Sequence, residues 1–131
     1  MRKIIFRGLS VCAGEGWVYG TLSYDAWGDR TTIRNEQGMG VDVNPHTVGQ
    51  YIGRNDVNGH LIYEGDVLRV IDGKELTLVV AFNPRLSAFG LVTKEQWKDR
   101  EYTFAWKYFS DYPDCRFEVM GNIHEHKKLL K

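Results

Sequence analysis

The chain is poor in the residues that mark several protein classes. It has only two cysteines in 131 residues, Cys12 and Cys115, far apart and without a local partner motif. With no secretory context they read as reduced thiols, and the fold is expected to stand without a disulfide framework. There are three prolines against 14 glycines. No apolar run approaches the roughly 18 residues of a membrane-spanning helix, and the start "MRKIIFRG" is too short in its apolar part for a signal peptide. Neither charge sign is in excess, with 17 basic and 17 acidic side chains. A dedicated nucleic-acid binder usually carries a basic surplus, so neutrality weighs against that class. These absences point to one cytoplasmic domain, whose length is enough to bury a core.

Aromatic residues are abundant, at 13%, with tryptophan at 17, 27, 97 and 106. Short runs of β-branched and aromatic residues lie between glycines, the pattern of a mainly β chain. "RKIIFR" (2–7) reads as a first strand and "GWVYGTLSY" (16–24) as a second. In the second, Trp17, Tyr19, Thr21 and Ser23 share one face and Val18 and Leu22 the other. "RTTIRN" (30–35) reads as a third strand after the "AWGDR" turn, while "EQGMGVDVNPH" reads as irregular. "TVGQYIG" is a short strand, and Asn58-Gly59 signals a hairpin with both central residues at positive φ. "HLIYEGDVLRVID" reads as two strands jointed at Glu64-Gly65-Asp66, followed by a turn at Asp72-Gly73. "ELTLVVAF" is the strongest strand, Asn83-Pro84 breaks it, and "SAFGLVT" returns beside it. Between 94 and 111, Trp97, Glu101, Phe104 and Tyr108 keep helical spacing while "YTFAWKYF" alternates like a strand; a short helix or irregular excursion ending at Pro113 is expected. "CRFEVMGNI" closes the β run, and "HEHKKLLK" is a short helical tail. About eight strands result. They suggest a small SH3-like barrel over 46–123, an N-terminal β-hairpin region over 1–45 and a tail over 124–131.

Several segments together resemble the YopX-like family of small proteins encoded by phages and prophages. "IIFRG" followed by "GEGWVYGTL" resembles its opening pattern with one extra glycine. "VNPHTVGQYIGRNDVNGHLIYEGDVLRV" resembles its core signature, through Thr47 to Tyr51, Gly53, Asp56, Asn58, Gly59 and Ile62 to Asp66. "FEVMGNIHEHKKLL" resembles its closing signature, through Phe117, Glu118, Val119, Gly121 to Ile123 and Leu130. The tail departs from it, with His126-Lys127 where an Asn-Pro pair is usual. The resemblance implies a mostly β fold, oligomeric assembly and no transferable catalytic residue.

The candidate sites divide as follows. Tyr51, Arg54, Asp56, Tyr63 and Asp66 lie on the core signature and read either as a binding surface on a turn or as residues setting the backbone of a barrel corner; the second reading is favoured, because every glycine there has a turn role. Glu64 and Asp66 have the spacing of paired carboxylates on one strand face, but no third acidic ligand is near, so a solvated turn is favoured over a cation site. His124 and His126 form a lone H-x-H, which is weak as a zinc signal even with His46, His60 or Cys115 added. Neither cysteine has an activating motif, and a small buried hydrophobe is favoured over a nucleophile. Gly14-Glu15-Gly16 and Gly38-Met39-Gly40 do not join a strand to a helix, so phosphate binding is unsupported. Trp17, Tyr19, Trp27, Trp97, Phe104, Trp106 and Tyr108, with Arg7, Arg30, Arg34 and Arg100, suit a core or subunit interface first and a nucleic-acid strand second. The expectation is a binding protein that assembles with itself and meets a host or phage protein, with no catalysis, no cofactor, no metal and no membrane. A nucleic-acid-binding small barrel is the alternative.

Overall fold

A computed structural model describes residues 1–25, 27, 30–71, 76–99, 106–112 and 116–131. The expected turn at Asp72-Gly73, and Arg100, Glu101, Phe104, Pro113 and Cys115, lie outside the described residues. The chain is mainly β, with two antiparallel sheets. It divides into two compact units, Met1–Gly53 and Arg54–Lys131, with the boundary inside a strand.

The first unit contains β1 (Phe6–Leu9), β2 (Trp17–Tyr24), β3 (Thr31–Arg34), β4 (Gly40–Asp42) and most of β5 (Gly49–Asn55). Their sheet order is β4-β3-β2-β1-β5. The two ends of β2 serve different neighbours. Trp17 to Gly20 pairs with β1, and Thr21 to Tyr24 pairs with β3. The end of β1 meets the end of β4: Val11 N donates to Asp42 O at 3.0 Å and Asn44 N to Leu9 O at 2.8 Å. The strands thereby curl around Val18, Ile33 and Val43, with Phe6, Leu22, Val41 and Val48 packed against them. Val18 and Leu22 point inward while Tyr19, Thr21 and Ser23 are exposed, as the period of two in the sequence requires. The stretch expected to be irregular holds β4 and a 3-10 turn, Pro45–Thr47, capped by the Asn44 side chain accepting from His46 N. The first strand is shorter than its sequence suggests, because pairing begins only at Phe6.

The second unit contains β6 (Leu61–Tyr63), β7 (Asp66–Val70), β8 (Thr77–Asn83), β9 (Ala88–Thr93), helix α1 (Lys94–Asp99) and β10 (Phe117–Asn122), and ends in a 3-10 turn, Lys127–Leu130. Four of these strands form a sheet in the order β10-β7-β8-β9. Cross-strand neighbours Val67, Val79 and Val92 form the core on one face, covered by Trp97 of α1, Trp106, Ile123, Leu129 and Leu130. On the other face Leu68, Leu78, Val80 and Leu91 are equally buried. A sheet buried on both sides explains why "LTLVVAF" reads as a continuous apolar run. The expected bend at Gly65, the β8–β9 hairpin and the closing strand are all present. Among the described residues this sheet does not close into a barrel. The excursion begins with one short helix, and its later part returns to β9, where Leu91 and Lys107 exchange backbone hydrogen bonds. No described helix is long and apolar enough to cross a membrane.

Candidate functional site

The core signature runs through the turn after β5 and the bend between β6 and β7. In the turn, Asp56 N donates to His60 O at 2.8 Å and Gly59 N to Asp56 O at 3.1 Å. Gly59 has φ of +82°, whereas Asn58 is not at positive φ. The two-residue turn expected from Asn58-Gly59 is therefore a longer loop, in which one glycine supplies the left-handed residue.

The side chain that organises this loop is Asp56, which is fully shielded from solvent. One carboxylate oxygen accepts from Asn58 N at 2.9 Å and His60 N at 2.8 Å, an Asx-type closure of the turn. The other accepts from Val119 N at 2.9 Å, in β10. Val57 N donates to Phe117 O at 2.9 Å beside it. Strand β10 is an edge of its sheet, and the turn covers that edge with one backbone donor and one carboxylate acceptor. Burial by itself raises the Asp56 pKa. The N–H groups of Val119, His60 and Asn58, with the His60 ring, outweigh it and hold the carboxyl below its ordinary value. His60 Nδ1 lies 3.4 Å from Asp56, and its side chain is exposed.

The bend follows the same logic. Tyr63 N donates to Asp66 Oδ2 at 2.8 Å, with both residues buried. Gly65 N donates to Val80 O, and Gly65 O accepts from Ile123 N, each at 2.9 Å. Its φ of +93° is the left-handed conformation that favours glycine, and a Cβ there would meet the His124 ring at 3.4 Å. Glu64 sits half-buried in the turn itself.

Of the five candidate residues, Tyr51 belongs to the first unit, half-buried in β5 with its N–H donated to Ile5 O at 2.8 Å. Asp56, Tyr63 and Asp66 are buried in the second unit, and the two carboxylates accept from backbone amides. Arg54 is exposed. Its guanidinium lies over Phe109 at 5.1 Å and over Phe117 at 5.9 Å. The side chains presented outward here are Arg54, Asn55, Val57, Asn58 and His60. Nothing local in the sequence marks Val119, Phe109 or Phe117 as their neighbours, because those residues lie more than fifty positions away.

The other candidates are placed as follows. His126 Nδ1 accepts from Asn122 N at 3.1 Å, and Asn122 Oδ1 accepts from His124 N and Glu125 N, so the H-x-H segment forms a capped turn. No group of three or more potential metal ligands occurs among the described residues. Cys12 is exposed, contrary to the buried position expected of it. Ser10 Oγ donates to Glu15 at 2.7 Å and accepts from Cys12 N at 3.1 Å, closing the Gly14–Gly16 loop on itself. The Gly38 loop is closed by Arg34, which donates to Gly38 O. Arg30 pairs with Asp42 at 3.0 Å, and Arg7 is buried with its guanidinium 4.4 Å over the Trp17 ring. Trp97 and Trp106 are half-buried and pack against the core of the second unit. Trp27 is 85% exposed and Tyr24 is 64% exposed.

A family model described as YopX protein matches residues 15–131, nearly the whole chain. No curated protein matches it.

Proposed function

The chain belongs to the YopX family, and from that premise we propose that it is a phage- or prophage-encoded accessory protein that works by binding, performs no catalysis and assembles with copies of itself. The observation that carries this reading is the exposure of Tyr19 on the outer face of β2, of Tyr24 at the end of the strand and of Trp27 beyond it. Exposed aromatics on a small rigid sheet suit a buried protein contact, because each ring covers a large area with few rotatable bonds. The internal use of Asp56 and Asp66 supports the same reading. Their carboxylates hold backbone amides and are not turned toward a substrate.

Light scattering after size exclusion, over a hundredfold range of concentration, tests the assembly. A mass of two or more protomers of 15.1 kDa is expected, with Trp27→Ser shifting it downward. The protomer mass at every concentration would overturn the self-assembly reading. A nucleic-acid-binding role is the second reading, favoured by Trp17 and the exposed Tyr19 on one face of β2, rings on which bases can stack. Its test is the anisotropy of a labelled single strand titrated at two salt concentrations. Binding that weakens steeply with salt supports it, and salt-independent or absent binding removes it.

A further inference from the structure

The inference concerns the edge of β2 and rests on the self-assembly reading. Hydrogen-bond parity along β2 follows from two bonds. Ser10 N donates to Gly16 O at 3.0 Å, continuing the β1–β2 register, so the even-numbered residues of β2 turn their N–H and C=O toward β1. Asp25 N donates to Arg30 O at 3.2 Å, so the odd-numbered ones turn toward β3. The β1 ladder stops at the pair Phe6 and Gly20. Beyond it, Leu22 and Tyr24 still direct both backbone groups to the β1 side, and no described strand lies there. This is a short open edge, the template to which a further strand adds.

The missing strand is in the same chain. Residues 2–5, "RKII", have the β-branched pattern of a strand, yet they are not part of one, and Ile4 is 59% exposed. Continuing the β1–β2 register would set Ile4 opposite Leu22 and Arg2 opposite Tyr24. Ile4 would then stand on the same face as Leu22 and Phe6, next to the core of the unit. Lys3 would stand on the face of Ser23 and Asp25, giving the contact complementary charge.

The chain's own arm leaves β2 at this point for a structural reason. At Gly20 the Arg34 carbonyl packs where a Cβ would stand, and β2 changes partner from β1 to β3. The residue before Phe6 is held on the opposite side, through Ile5 O and Tyr51 N at 2.8 Å. Arg2–Ile4 lie before that tether in every copy, so they can reach an edge outside their own sheet while Ile5 keeps its bond to Tyr51. We propose that the Arg2–Ile4 arm of one copy adds as an antiparallel strand to the Leu22–Tyr24 edge of a second copy.

The test places cysteines at the pair Lys3 and Ser23, a register position that is not hydrogen-bonded and suits a cross-strand disulfide. The protein carries Lys3→Cys and Ser23→Cys with Cys12→Ser and Cys115→Ser. Heavy-isotope and light copies are mixed, oxidised and read by mass spectrometry of linked peptides, with light scattering on the reduced sample. The expected result is heavy-to-light links between peptides containing positions 3 and 23. Links only within a copy would show that the arm closes its own hairpin, and would overturn the proposal. No link in a sample that still has an oligomeric mass would overturn it while leaving self-assembly standing. No link together with a protomer mass would remove both. As an independent arm, Ile4→Pro removes a ladder donor from an exposed residue and is expected to weaken association at least about tenfold. Unchanged association in the folded Ile4→Pro protein would also overturn the proposal.

Discussion

The carboxylate of Asp56 accepts the amide of Val119, 63 positions away, at 2.9 Å. The same carboxylate closes its own turn through Asn58 and His60, so one side chain couples the loop to the sheet edge. Asp56→Ala removes the acceptor of three amides in a solvent-free place. The expected loss is roughly 2–5 kcal/mol, read as a lower urea midpoint. Asp56→Asn should lose less, because its amide oxygen can still serve Asn58 and His60 while its NH₂ faces the Val119 donor.

Acid should release the same contact. Asp56 holds its proton less tightly in the folded chain than at its ordinary value of 3.8. The unfolded chain therefore binds more protons as pH falls through that value and below it, and stability falls with pH there. Its contribution is complete well above 3.8 and is lost as pH drops through the lower, folded value. Urea midpoints measured from pH 6 downward should decline, and Asp56→Asn should flatten the part that Asp56 supplies. An equal decline in both proteins would exclude Asp56 as the source.

Gly65→Ala should destabilise by about 1–3 kcal/mol, because alanine must take a left-handed φ of +93° at the bend. Thermal unfolding measures it. The neighbouring Glu64→Ala serves as a control in the same turn and should change stability by less than Gly65→Ala.

Arg54→Glu and His60→Gln test the outward face of the loop. Both side chains are exposed, so stability should change by no more than about 1 kcal/mol despite the loss of the Arg54 contact with Phe109. If the loop meets a partner, co-purification from a bacterial lysate treated with nuclease should fall in both variants. Retention of the same partner by both would place the contact elsewhere. Reversing Asp56 instead would report on folding, since that carboxylate is buried.

Strand positions were legible because alternation and glycine punctuation are local signals. The division of β2 into a Val18 and Leu22 face and a Trp17, Tyr19, Thr21 and Ser23 face is local, as is the bend at Gly65, whereas which face packs inward needed the other strands. About eight strands are expected from the sequence, and the described residues hold ten. The additional short ones, such as β4 (Gly40–Asp42), exist by pairing and carry little pattern of their own.

The amino-acid sequence by itself determined a mainly β chain, its principal strands and its family, because side-chain period, turn residues and motif order are written along one dimension. Only the tertiary structure decided what those residues meet. It turned Asp56 inward to an amide 63 positions away, laid Arg54 over Phe109, and began the first strand only at Phe6 although "RKII" has the character of a strand. The physical reason is common to all three. A hydrogen bond, a ring contact or a ladder rung requires a partner at a given distance, and the fold alone brings that partner near.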